Sequence, residues 1–191
     1  GVHEGYRHLS EPITATRRKL FLLRGRYWIL LDRFTADTRA MHDYRLHFHL
    51  NVPGELRENG RFATSGQGGN LAIVPIEGAR GEGAFGHCPY PLPNYENPSQ
   101  LTYGHACEGS FLFATLLVPF EGAEPAVEAR LLPVEADDRI VPAQEITALE
   151  IVIDGRRDVY VDQHMEWNLP WRAGGREGHG RLFHSRCPSL Q

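Results

Sequence analysis

Apolar and polar residues alternate along most of this chain, in runs of five to eleven residues cut by glycine, proline, asparagine and aspartate. Side chains two apart share a face of an extended strand, so such alternation describes half-buried β-strands. The clearest runs are "KLFLL" (19–23), "RYWILLDRF" (26–34), "YRLHFHL" (44–50), "NLAIVPI" (70–76) and "SFLFATLLVPF" (110–120). "AVEARLLPV" (126–134), "ITALEIVID" (146–154), "DVYVDQHM" (158–165) and "GRLFHSR" (180–186) continue the pattern. Arg24-Gly25 joins the first two as a tight hairpin, and Asp154-Gly155 has the dipeptide that two-residue hairpin turns favour. Glu58-Asn59-Gly60 and Gly66-Gln67-Gly68-Gly69 mark further turns, and "PYPLPNYENPS" (89–99) reads as a surface loop. No segment keeps a helical period with caps at its ends. Many short strands at this spacing predict an all-β, antiparallel sandwich or barrel. With no internal repeat and no linker composition, residues 1–191 are expected to form a single β-domain.

At 191 residues, with 41% hydrophobic and 23% charged residues, the chain can bury a core of ordinary size. A net charge of −4 supplies no basic surface for nucleic acid, and no apolar run is long enough for a membrane-spanning helix. Neither is expected as a partner. The start, Gly1-Val2-His3, has no initiator methionine and no signal pattern, which suggests a fragment or processed product. Cys88, Cys107 and Cys187 are an odd count without a CxxC. A Cys88–Cys107 bridge and free buried thiols are equally open.

Three stretches offer chemistry. In "MHDYRLHFHL" (41–50), alternation puts His47 and His49 on one face with Arg45 and Asp43, opposite Tyr44, Leu46, Phe48 and Leu50. A His-x-His pair is how cupin-type barrels present metal ligands, and His87, His105 or His164 would have to complete such a site. A hydrogen-bonded sheet face or sugar contact is the favoured reading. "HEGYRHL" (3–9) gathers His3, Tyr6, Arg7 and His8, types that serve as base, acid and carboxylate clamp, or simply as an exposed terminus. "DQHMEWNLPW" (162–171) carries Trp167 and Trp171, conceivable sugar platforms but more simply core residues. No Gly-x-Ser-x-Gly elbow occurs, Ser65 sits in a glycine-rich turn, and Asp137-Asp138 reads as a solvated loop.

The order of these segments resembles the C-terminal β-sandwich of heparinase II/III-like polysaccharide lyases. The matching features are His3, Gly5 and Tyr6, Pro12, Arg17-Arg18, Asp32, His42, the "HFHL" strand with His49, Tyr103-Gly104 and the strand end at Pro119. They cover roughly residues 3–120. Thr14-Ala15-Thr16 departs from the pattern, which often has a histidine just before the arginine pair.

The resemblance implies a lyase that cleaves uronic-acid polysaccharides by β-elimination. The carboxylate is neutralised, a base takes the C5 proton, and an acid protonates the leaving oxygen at C4. It also implies that the catalytic groups lie on an N-terminal α/α toroid and in a His-x-His-x-Asp motif, which this chain lacks, since Asn51 follows "HFHL". The expected chain is therefore the distal part of a sandwich, without upstream strands, toroid or metal site, structural or cleft-lining and inactive alone. No catalytic residue and no cofactor is expected within it, although the parent enzyme can hold a divalent metal. His3, Tyr6, Arg7, His42, His47 and His49 are its candidate substrate-binding residues. Its expected partners are an acidic polysaccharide and the toroid and upstream strands, from the parent or a partner chain, in a periplasmic or secreted setting. The alternative is a stand-alone β-module, either metal-binding through His47 and His49 or carbohydrate-binding through Trp167 and Trp171.

Overall fold

A computed structural model describes residues 1–23, 25–93, 98–164 and 168–186. Arg24 of the expected first turn, Asn94–Asn97 of the expected loop, Met165, Trp167 and Cys187 lie outside the described residues. Strand ladders are antiparallel throughout, as the alternation predicts, and the described residues include no α-helix. One 3-10 turn, Gly5–His8, follows the first strand.

The strands gather into two compact units, Gly1–Pro75 with Arg80–Glu124, and Ile76–Ala79 with the residues from Pro125 on. The first contains β1 (Val2–His3), β2 (Ile13–Leu23), β3 (Tyr27–Ala36), β4 (Met41–Leu50), β5 (Gly54–Leu56), β6 (Phe62–Thr64), β7 (Asn70–Pro75), β8 (Glu82–His87), β9 (Ser99–Glu108) and β10 (Phe111–Phe120). They form a seven-stranded sheet, β1-β2-β3-β10-β7-β6-β5, and a three-stranded sheet, β4-β9-β8. Tyr44, Leu46, Leu101 and Tyr103 from the small sheet meet Ile13, Phe62, Ile73 and Phe113 from the large one in a single core. This unit is a β-sandwich, with the apolar face of "YRLHFHL" turned inward as its alternation requires.

The second unit holds β11 (Val127–Leu131), β12 (Val134–Ala136), β13 (Arg139–Val141), β14 (Ile146–Ile153), β15 (Arg156–Gln163), β16 (Trp171–Ala173), β17 (Arg176–Gly178) and β18 (Leu182–Arg186). Two four-stranded sheets, β11-β14-β15-β18 and β13-β12-β16-β17, pack around Trp171, Val134, Ala148, Val159 and Val161. Asp154 and Gly155 both take left-handed backbone angles, φ 49° and 75°, and close the β14–β15 hairpin as that dipeptide predicts.

"AVEARLLPV" is two strands rather than one. Pro133 has no N–H for a ladder and biases the residue before it, so β11 ends and β12 begins in a different sheet.

Candidate functional site

The two candidate groups occupy different parts of the first unit. His3 lies on β1, paired with Thr16 of β2 at one edge of the large sheet. The backbone N–H of Gly5 donates to His3 Nδ1 at 3.2 Å, and the rings of His3 and Tyr6 meet edge-on with centroids 5.4 Å apart. A Cβ on Gly5 would fall 2.3 Å from the His3 ring, so in His-x-Gly-Tyr the glycine leaves room for the imidazole to lie in this position. Arg7 donates through Nε to the Thr14 carbonyl at 2.9 Å and pairs with Glu4 at 3.1 Å. Its charge is thereby answered within the same turn. Tyr6 is 48% exposed, which leaves its phenol in reach of a ligand.

On β4 the histidines divide. His42 points inward with Tyr44, their ring centroids 5.5 Å apart, whereas His47 and His49 stand on the outer face. The register sets His47 opposite Thr102 and His49 opposite Gln100. The Gln100 amide Nε2 donates to His47 Nδ1 at 3.1 Å, and His49 Nε2 lies 3.2 Å from Gln100 Oε1. Thr102 Oγ1 lies 2.9 Å from the same His47 nitrogen. An amide N–H can only donate, so Nδ1 of His47 accepts and its proton sits on Nε2. Beside this pair, Arg45 is bonded to Asp43 at 2.7 Å, and that bond holds the Asp43 carboxyl below its usual range. The outer row offers hydrogen bonds to a ligand and little net charge.

Burial, then the charges of His49 and Arg45, push the His47 pKa down. A histidine depressed in the folded state contributes stability that is present above its ordinary value, near 6.5, and lost as pH falls below it. The thermal midpoint is expected to fall between about pH 7 and pH 5.5, and His47→Gln is expected to flatten that slope. An unchanged slope in the variant would assign it elsewhere.

Sequence reasoning missed Gln100 and Thr102 because β9 and β8 carry glycines that mask their strand pattern. Gly83 of β8 has a steric reason, since a Cβ there would lie 3.2 Å from Leu56, and so does Gly81 just before β8, where a Cβ would lie 2.3 Å from the Gly104 carbonyl oxygen.

The fold in which these groups sit matches solved enzymes. Heparan sulfate lyase HepC from Pedobacter heparinus superposes with a TM-score of 0.63 at 15% identity, over 80% of this chain and 25% of that one. Heparinase III, the BT4657 gene product, does so with a TM-score of 0.56 at 16% identity, over 78% of this chain and 24% of that one. The chain has the fold of a heparinase domain. It spans about a quarter of the length of those heparinases, which fits the C-terminal domain that the sequence resemblance names. No protein-family sequence model matches this heparinase-like chain, and no curated protein sequence does either.

The remaining candidates are dispersed through the heparinase-like fold. His105 stacks on Phe111 with centroids 4.0 Å apart, and His87 occupies the inward row of β8, so neither shares a face with His47 and His49. His164, in the second unit, is buried and lies 2.7 Å from Thr147 Oγ1. Among the described residues no three His, Cys, Asp or Glu side chains converge as cation ligands. Cys88 and Cys107 are free thiols.

Trp171 is 1% exposed and belongs to the second core, with Phe183 at 5.2 Å, so stacking on a sugar ring is closed to it. Asp137 and Asp138 form a two-residue turn with φ 52° and 56°, on a cleft of about 800 Å³ also lined by Glu135, Arg139 and Arg172. Arg139 is bonded to Glu145 at 2.6 Å, which leaves this cleft short of free positive charge for an acidic polymer.

Proposed function

We propose that this chain is the C-terminal β-domain of a heparinase II/III-like polysaccharide lyase that cleaves uronic-acid polymers by β-elimination. It is structural and lines one wall of the substrate cleft, and it is inactive alone. The observation that carries this reading is the heparinase fold over four-fifths of the chain, which agrees with the ordered set of sequence motifs in residues 3–120. The polymer is an acidic polysaccharide, and the setting is periplasmic or secreted.

Within this reading the domain supplies hydrogen bonds rather than proton transfer. Nε2–H of neutral His47 and the imidazole of His49 suit hydroxyl and carboxylate oxygens of a sugar, held in place by Gln100 and Thr102. The exposed Tyr6, beside His3 and Arg7, forms a second, separate contact patch.

A domain exchange tests the reading. The chain alone, incubated with heparan sulfate, alginate and chondroitin, is expected to release no unsaturated uronate. Grafted in place of the matching quarter of HepC, it is expected to restore turnover that falls at least about tenfold in a His47→Ala, His49→Ala graft. Turnover by the isolated chain, or a folded graft with no affinity for any uronan, would overturn it.

A further inference from the structure

The outer face of the small sheet is organised by one amide. Gln100 Nε2 has two protons to give, and they reach His47 Nδ1 at 3.1 Å and Thr102 Oγ1 at 3.0 Å. Its Oε1 lies 3.2 Å from His49 Nε2 and 3.8 Å from Cys88 Sγ. The thiol can donate to an oxygen in that place, whereas an amide NH2 there would offer its S–H no acceptor. The carbonyl end therefore faces His49, whose Nε2 must carry a proton to bond it.

The two imidazoles are thus held opposite ways round. His47 turns a bare nitrogen to Gln100 and leaves Nε2–H over; His49 turns an N–H to Gln100 and leaves Nδ1 bare. Both residues are exposed, and neither remaining nitrogen has a partner among the described residues. Two residues apart on one strand, the pair is separated by about 7 Å. Arg45 is bonded to Asp43, and Glu82, across Gly104 from Arg45, is the one ionisable group on this face of β8. Hydrogen-bond direction, not charge, distinguishes the two positions.

The row also has room beside it. Gly104 and Gly86 lie on the same face, next to Arg45 and Gln100, and a Cβ on either would meet nothing within 4 Å. Neither takes a left-handed backbone angle. Glycine inside a strand weakens it, and one that the protein's own packing does not require leaves the backbone open to a ligand.

We propose that Gln100 is a positioning residue that gives this face a direction. His47 Nε2–H takes an acceptor, the carboxylate of a uronate, and His49 Nδ1 takes the O–H of a sugar hydroxyl. A sugar chain laid along β4 fits in that sense only. The reverse sense sets a carboxylate against a bare nitrogen, acceptor against acceptor. The identity of the ligand rests on the lyase reading above, and the setting of the two rings does not.

Nitrogen-15 spectra of the imidazoles at about pH 8, above the ordinary histidine range, test the setting. Both rings of the wild-type chain are expected as the Nε2–H tautomer. The internally bonded His49 proton should exchange with water at least about tenfold more slowly than that of His47. Gln100→Glu offers acceptors alone, so it should place a proton on His47 Nδ1. On titration with heparan sulfate oligosaccharides, His47 Nε2 and His49 Nδ1 should both shift. Gln100→Met, which keeps the length without the amide, should weaken that binding about threefold or more. Oligosaccharides whose carboxylates are reduced to hydroxymethyl groups should lose much of the His47 response and keep that of His49. Wild-type rings both protonated on Nδ1, a His47 tautomer indifferent to Gln100→Glu, or affinity indifferent to Gln100→Met would overturn the proposal. So would silence of both rings toward the oligosaccharide, or carboxyl reduction that acts on His49 instead of His47. The spectra involve no turnover, so failure here is distinct from failure of the lyase reading, which the graft measures.

Discussion

Trp171→Ala is expected to lower the stability of the second unit by about 3–5 kcal/mol, the usual cost of emptying a large aromatic site in a packed core. The indole is 1% exposed, touches Phe183, and lies so close to Gly178 that a Cβ there would be 2.8 Å from the ring. Collapse around the cavity is therefore limited by backbone on one side. Among the described residues its Nε1–H has no hydrogen-bond partner. Trp171→Phe removes that unsatisfied donor along with some volume, and should cost only about 1–2 kcal/mol. Urea titration of the three proteins checks both values. Alanine and wild type unfolding together would show that the core does not depend on this residue.

The second large effect is expected at Asp32 in the first unit. Its carboxylate is 3% exposed and takes two bonds from Arg18, at 2.6 and 3.2 Å, while the arginine itself is more than half exposed. Burial raises the Asp32 pKa, and the bonds to Arg18 pull it back only in part. Arg18→Ala should cost about 2–3 kcal/mol at pH 7, less than for a fully buried pair because the guanidinium is already partly in water. A carboxyl whose folded pKa is raised destabilises the fold above that pKa, and the penalty fades as pH falls through it. The loss should therefore shrink between about pH 7 and pH 4. Arg18→Leu, Asp32→Leu together should lie within about 1 kcal/mol of wild type, since both desolvation and pairing are removed. A double variant as weak as Arg18→Ala would refute this account.

The β-class, the hairpins around Gly25 and Asp154-Gly155, and the inward face of β4 were legible because alternation reports burial directly. β8 and β9 were not, because Gly83, Gly86 and Gly104 interrupt their alternation, and the close packing of Gly81 on the Gly104 backbone and of Gly83 on Leu56 is not recorded in a linear pattern. The division at Pro133 was written in the sequence but overlooked, since the apolar run continues across it. Pairing of His47 with His49 on one face was readable from spacing alone. Gln100, which ties the two together, is about fifty residues away and becomes visible only with the β4–β9 register.

Cys88 follows β8 with 1% exposure, and its Sγ lies 3.8 Å from Oε1 of the same Gln100. A thiol so enclosed reacts with a bulky reagent only when the surrounding segment opens. Its rate of labelling thus reads out the breathing of the small sheet in real time. The outward histidine row rides on that sheet, so one native sulfur acts as a clock for the most ligand-facing layer of the molecule.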